Sequence, residues 1–221
     1  MRKTPNCREA WVLSVLFLAV GQAACSSSGG DGLIAATACT DTFTACGGDP
    51  TGTWNLSGVC IEGDLAAALN SQQSAACNTQ TTKATVKGSG SAMYVAATTA
   101  DAIVIYDAKL EKQTTESISA ACAADSYGVT TLDAAGCTQI KTTIEADDPE
   151  ATASCALASG NCNCTVTVLH VQKAQNFLTL TGSNIVENDD TTYDFCVTDT
   201  KMVQREAIGG SAAVVSTFTK K

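Results

Sequence analysis

The side chains of this 221-residue chain that could do chemistry are one histidine and twelve cysteines. His170 stands between Val168-Leu169 and Val171, in a stretch that reads as a strand. An imidazole works as a general base only when a nucleophile or carboxylate is presented beside it, and the chain has no Gly-x-Ser-x-Gly elbow, no His-Glu-x-x-His and no phosphate-cradling loop. The pattern gives His170 a structural place, and the count excludes a zinc site built on histidines. Cys162-Asn163-Cys164 could be half of a thiolate metal site, with Cys60 or Cys77 completing it, but zinc thiolates usually come as two pairs near Cys-x-x-Cys spacing, which is missing. Asp147-Asp148-Pro149-Glu150 and Glu187-Asn188-Asp189-Asp190 lack the alternating acidic spacing of a calcium loop and read as solvated turns. The sequence implies no cofactor and no catalytic residue.

The N-terminus says more. Arg2, Lys3 and Arg8 precede an apolar run, Ala10 to Val20, broken only by Ser14. That is a basic segment followed by a core too short for the roughly 20 apolar residues of a membrane span, so residues 1–24 read as a signal peptide. The junction Gln22-Ala23-Ala24-Cys25, running into Ser26-Ser27-Ser28-Gly29-Gly30, resembles a bacterial lipobox, in which small residues precede a cysteine that receives diacylglycerol. It departs from that pattern at Gln22, where the family has an aliphatic residue, so ordinary cleavage after Ala24 stays open. Ser26 after the cysteine implies, by resemblance to enteric lipoproteins, the outer membrane; a secreted or periplasmic soluble protein is the alternative. The cysteine count agrees with lipidation. Cys7 leaves with the signal peptide and Cys25 takes the lipid, which leaves Cys39, Cys46, Cys60, Cys77, Cys122, Cys137, Cys155, Cys162, Cys164 and Cys196, an even set able to form disulfides outside the cytoplasm. Local pairs such as Cys60 with Cys77, Cys122 with Cys137 and Cys155 with Cys162 are expected.

These cysteines need a framework to hold them. Loss of residues 1–24 removes Arg2, Lys3, Arg8 and Glu9 and leaves a formal charge of −11. Nucleic acid and anionic lipid are excluded as main partners, because affinity for phosphates comes from cations. Residues 25–45 read as a lipidated N-terminus and flexible tether, and 46–221 as one disulfide-rich domain. Short stretches alternate apolar and polar residues, the period of half-buried strands: Gly52–Ile61, Lys83–Lys87, Ala92–Thr98, Ala102–Asp107, Glu116–Ala121, Cys164–Val171, Phe177–Thr181, Thr192–Val197 and Lys201–Ala207. Asp64–Ala76 and Asp133–Ala146 read as short helices.

Gly52-Thr53-Trp54 opens the first long strand and resembles the Gly-x-Trp start of lipocalin-like barrels. That resemblance implies a closed antiparallel barrel with one or two short helices, in which the tryptophan closes one end beneath a basic residue from the final strand; Arg205, in the last expected strand, takes that part. An open β-sandwich is the alternative. The spacing of Cys155, Cys162 and Cys164, with Tyr193-Asp194-Phe195-Cys196-Val197 near the end, resembles uncharacterised cysteine-rich bacterial lipoproteins, which imply no activity. Three functions follow in order: a lipid-anchored barrel binding a small apolar ligand; a structural or interaction protein of the cell envelope, with another envelope protein as partner; and, last, an enzyme. Replacing Cys25 by Ser is expected to release the protein from membranes, measured by fractionation and by fatty-acid labelling; an unlabelled wild type with a free amine at its N-terminus overturns the expectation.

Overall fold

Even-numbered residues from Ala102 to Ile118 are mostly apolar or buried while their odd-numbered neighbours are more open, so one uninterrupted strand has one face for a core and one for solvent. The computed structural model describes residues 32–221 except 79, 99, 189 and 190. The signal peptide and Cys25 lie outside the described residues. The strands are β1 (Ile34–Ala35), β2 (Thr37–Ala38), β3 (Gly52–Gly63), β4 (Thr81–Ala96), β5 (Asp101–Ile118), β6 (Ala151–Ala158), β7 (Asn161–Thr181), β8 (Asn184–Glu187), β9 (Thr191–Val197), β10 (Lys201–Ile208) and β11 (Ala212–Lys220). The helices are α1 (Leu65–Ser71), α2 (Ala120–Tyr127) and α3 (Ala134–Asp147).

Eight of the strands close into an antiparallel barrel in the order β3-β4-β5-β7-β8-β9-β10-β11, with β11 returning to β3 and β3 to β4. Closure satisfies the backbone groups that an open edge would leave unpaired. The interior is filled by side chains from every wall, among them Trp54, Tyr94, Val104, Leu178, Ile185, Phe195, Met202 and Phe218. Both ends are covered. At one, Trp54 is fully buried and its indole N–H donates to the Pro50 carbonyl at 2.7 Å. At the other, α1 lays Leu65, Ala68 and Leu69, an i, i+3, i+4 stripe, over Val59, Val86, Ile208 and Val214. Burial of each of the two leucines is worth about 1.5–3 kcal/mol. Asp64 starts α1 by accepting from the Ala67 amide at 3.0 Å.

β5 and β7 outgrow the barrel. Their far halves, with β6, α2 and α3, enclose a second core of Ile118, Cys122, Ala123, Ile140, Val166 and Val168. Ser119 and Asp133 cap α2 and α3, and Gly128, at φ 67°, lets the chain leave α2 through a left-handed residue. Ahead of β3 the chain straps the outside of the barrel. β1 pairs with β4 and β2 with β3, and then disulfides tie Cys39 to Cys60 and Cys46 to Cys196. Regular pairing thus begins at Ile34, inside the stretch read as tether.

The expected barrel is present; its details differ from the sequence reading in three ways. Several expected strand pairs are single long strands, because the polar residues between them, such as Lys109, Glu111 and Gln113 in β5, alternate onto the outer side without breaking the ladder. Strands β1, β2, β6, β8 and β11 and helix α2 were not expected. The local cysteine pairs are replaced by Cys77–Cys122, Cys137–Cys162 and Cys155–Cys164, because β6 and β7 run antiparallel in a register that places Cys155 opposite Cys164 and turns Cys162 towards α3.

The Cys46–Cys196 bridge joins residues 150 apart. Replacing both cysteines by Ala is expected to lower stability by about 2–4 kcal/mol, the typical contribution of a disulfide. Urea unfolding checks this, and a loss under 1 kcal/mol would mean that the strap contributes little to the fold.

Candidate functional site

Alternation along the barrel strands turns a belt of polar side chains inward, below the apolar layer around Trp54. Glu187 ends β8 with its carboxylate buried. It accepts from the Tyr106 hydroxyl at 3.1 Å and from the Asn176 side-chain amide. The Gln204 amide donates to the Tyr94 hydroxyl at 2.7 Å. The Tyr193 hydroxyl lies near Glu187 and Glu206 without a hydrogen bond of good geometry, and both polar atoms of the buried Gln172 side chain lack a partner in the protein. Burial raises the Glu187 carboxyl above its ordinary range, against the lowering effect of the Asn176, Tyr106 and Tyr193 contacts. Burial also raises the phenols of Tyr94, Tyr106 and Tyr193, so they stay neutral donors at physiological pH.

The one barrel wall that parts is the seam between β3 and β4. These strands pair only from Gly52–Asn55 to Ser91–Tyr94. Beyond that, Gly88, Ser89 and Gly90 line a cleft with Leu56, Val59, Ala108, Leu110, Val214 and Phe218, and Tyr106 forms its inner wall. Gly90 has φ 120°, and a Cβ there would lie 2.3 Å from the Asp107 carbonyl oxygen, so only glycine lets β4 run this close to β5. The cleft encloses about 30 Å³. That is room for a few waters and far below the roughly 300–1,000 Å³ of a small-molecule site. β1 pairs with β4 and β2 with β3 alongside the split, and Ala36 between them donates its amide to the Val86 carbonyl.

Trp54 and Arg205 do not meet. Trp54 points into the barrel, whereas Arg205 lies on the outer face of β10, where its guanidinium donates to Glu62 at 2.7 Å and to Asp194 at 3.4 Å. The physical reason is strand parity: Gln204 and Glu206 take the inward positions, so Arg205 must face out. The cation over the indole is Lys220, 5.3 Å from the ring centroid, supplied by β11, the strand that pairs with β3 and that the sequence reading lacked.

The remaining candidates lie elsewhere. His170 sits on β7 opposite Leu110, its Nδ1 against the Glu150 carboxylate. The sulfurs of Cys155, Cys162 and Cys164 lie within 4.8 Å of one another, and all three are consumed in disulfides. Asp147 ends α3, and Asp148 to Glu150 form the turn into β6. Glu187, read as part of a solvated turn, is instead a lumen group. The signal for it was present in Ile185-Val186-Glu187, a period-two run too short to separate from its polar flanks.

Comparison of the chain with protein-family models, with curated proteins and with solved structures gives no match. The molecule's chemistry therefore has to be argued from its own geometry.

Because the Glu187 carboxyl is raised in the folded state, the native protein binds a proton that the unfolded chain has released. Its contribution is fully present below the ordinary value of 4.5 and is lost as pH rises through the folded value. Stability is expected to fall with rising pH over that window, and Glu187→Gln is expected to flatten the slope. Urea midpoints measured from pH 4 upward check this; equal slopes in the two proteins would place Glu187 in water.

Proposed function

We propose that this is an exported, lipid-anchored structural or interaction protein of the cell envelope, held at the outer membrane through Cys25, with a lipocalin-like barrel that serves as a rigid scaffold and not as a carrier. The observation that carries the reading is the filled lumen. Trp54 with Pro50 covers one end, α1 covers the other, and between them stand aromatic side chains and a hydrogen-bonded belt. Five disulfides brace this scaffold, which suits a compartment where thiols oxidise. The cation of Lys220 over Trp54, from the final strand, supports the lipocalin-like likeness.

A second reading, a barrel that accepts a small apolar ligand, is favoured by one observation. The seam cleft is walled largely by apolar side chains and reaches Tyr106, so separation of β3 from β4 would give lateral access to the lumen. The small volume favours the scaffold, because a ligand would have to open the cleft well beyond its present size. Native mass spectrometry of the protein extracted from membranes tests both. The scaffold reading expects the mature chain with diacylglycerol and no further bound molecule. A stoichiometric small molecule retained with the chain overturns it in favour of the carrier.

A further inference from the structure

We infer that the tip of the β4–β5 hairpin, together with Phe177 of β7, is a second membrane contact, which seats in the surface of a zwitterionic phospholipid bilayer. The inference rests on the lipid-anchor reading for its orientation. Register across three strands aligns Val95 with Ile103 and Phe177, and on the next rung Met93 with Ile105 and Gln175. All six point away from the lumen, since Tyr94, Val104 and Asn176 hold the inward positions. Phe177 is 67% exposed and Val95 43% on one rung, and Met93 and Ile105 are 38% exposed on the next beside the polar Gln175, so apolar side chains adjoin across two rungs in solvent. Such contiguity, unlike scattered surface leucines, marks a contact surface.

Three further observations select a bilayer as the occupant. From Met93 to Ala100 the chain carries no charged residue, while Asp101 stands at the turn and Asn188, bonded to the Phe177 backbone, is followed in sequence by Asp189-Asp190, so the apolar patch has an acidic rim. The chain also arrives from the right direction. β1 is antiparallel to β4, with Ile34 opposite Gly88, so moving upstream along β1 leads towards the Val95 end of β4. Cys25 is seven residues upstream of Gly32, and at about 3.5 Å per residue a lipid on it reaches about 25 Å, enough to lie beside the hairpin tip. Finally, the acidic mature chain disfavours an anionic surface, which leaves zwitterionic lipid as the compatible class.

The test uses the full mature chain. In a Cys25→Ser background, Phe177→Trp is mixed with phosphatidylcholine vesicles; Trp54 stays buried and reports that the fold is intact. A blue-shifted emission that brominated phosphatidylcholine quenches is expected, and adding Val95→Asp is expected to weaken vesicle partition at least tenfold. The lipidated Phe177→Trp protein on the same vesicles should be quenched as well. Emission that vesicles leave unchanged in both forms overturns the inference and leaves the patch to a protein partner. The mass of the wild-type N-terminus reports lipidation separately, so failure of the anchor and failure of the hairpin contact are told apart.

Discussion

The pairing of β5 with β7 is the constraint on which the rest of the molecule depends. Its register runs without a break from Asp101 opposite Thr179 to Ile118 opposite Cys162. One half of this ladder is barrel wall and the other is the floor of the helical lobe, so neither part can shift without the other. The same ladder positions Tyr106 and Asn176 to reach Glu187, and it sets Cys162 and Cys164 for their bridges to α3 and β6. A slip of β7 by one residue against β5 would turn the amide and both cysteines out of their cores together.

A lumen containing Glu187, Asn176, Gln204 and three tyrosines is costly to build, because each polar group loses water. Hydrogen bonds within the belt offset that loss, and the raised Glu187 carboxyl shows that the offset is partial. What the belt supplies in return is direction. Phe195, Met202 and Leu178 would fill a barrel in several registers, whereas a phenol on β5 and an amide on β7 that meet one carboxylate on β8 fix the register of three strands.

The fold was legible where the signal is periodic. Alternation marked the long strands, and Ala- and Leu-rich runs marked α1. Gly52-Thr53-Trp54 pointed to a barrel, and the pairing of β3 with both β11 and β4 closes one. What could not be read was parity and partnership. Arg205 and Lys220 are both cations near the end of the chain, but which one covers Trp54 depends on which strand pairs with β3, and that strand, Ala212–Lys220, has so few charges that its run reads like any buried segment. Disulfide partners were hidden for the same reason, since Cys46 and Cys196 are far apart in the chain and adjoin only because the strap crosses the barrel. The seam cleft leaves its trace in Gly88-Ser89-Gly90-Ser91, but such a run equally describes a turn until the strands on either side are known.

The strap connects folding to placement. β3 and β4 share four paired positions, whereas β4 and β5 share fifteen, so two strands of this length part over most of their run. Beyond Asn55, β1 and β2 lie alongside the seam, and Cys39–Cys60 holds them there. These residues lie immediately after the Ser- and Gly-rich stretch that follows Cys25. Any pull on the N-terminus is therefore delivered first at Ile34, along the β1 pairing with β4, then at Thr37 and Ala38, paired with β3, where the Cys39–Cys60 bridge holds it. The disulfide fixes the strap covalently to β3 beside the seam, which gives a physical reason for a bridge at that point of the chain.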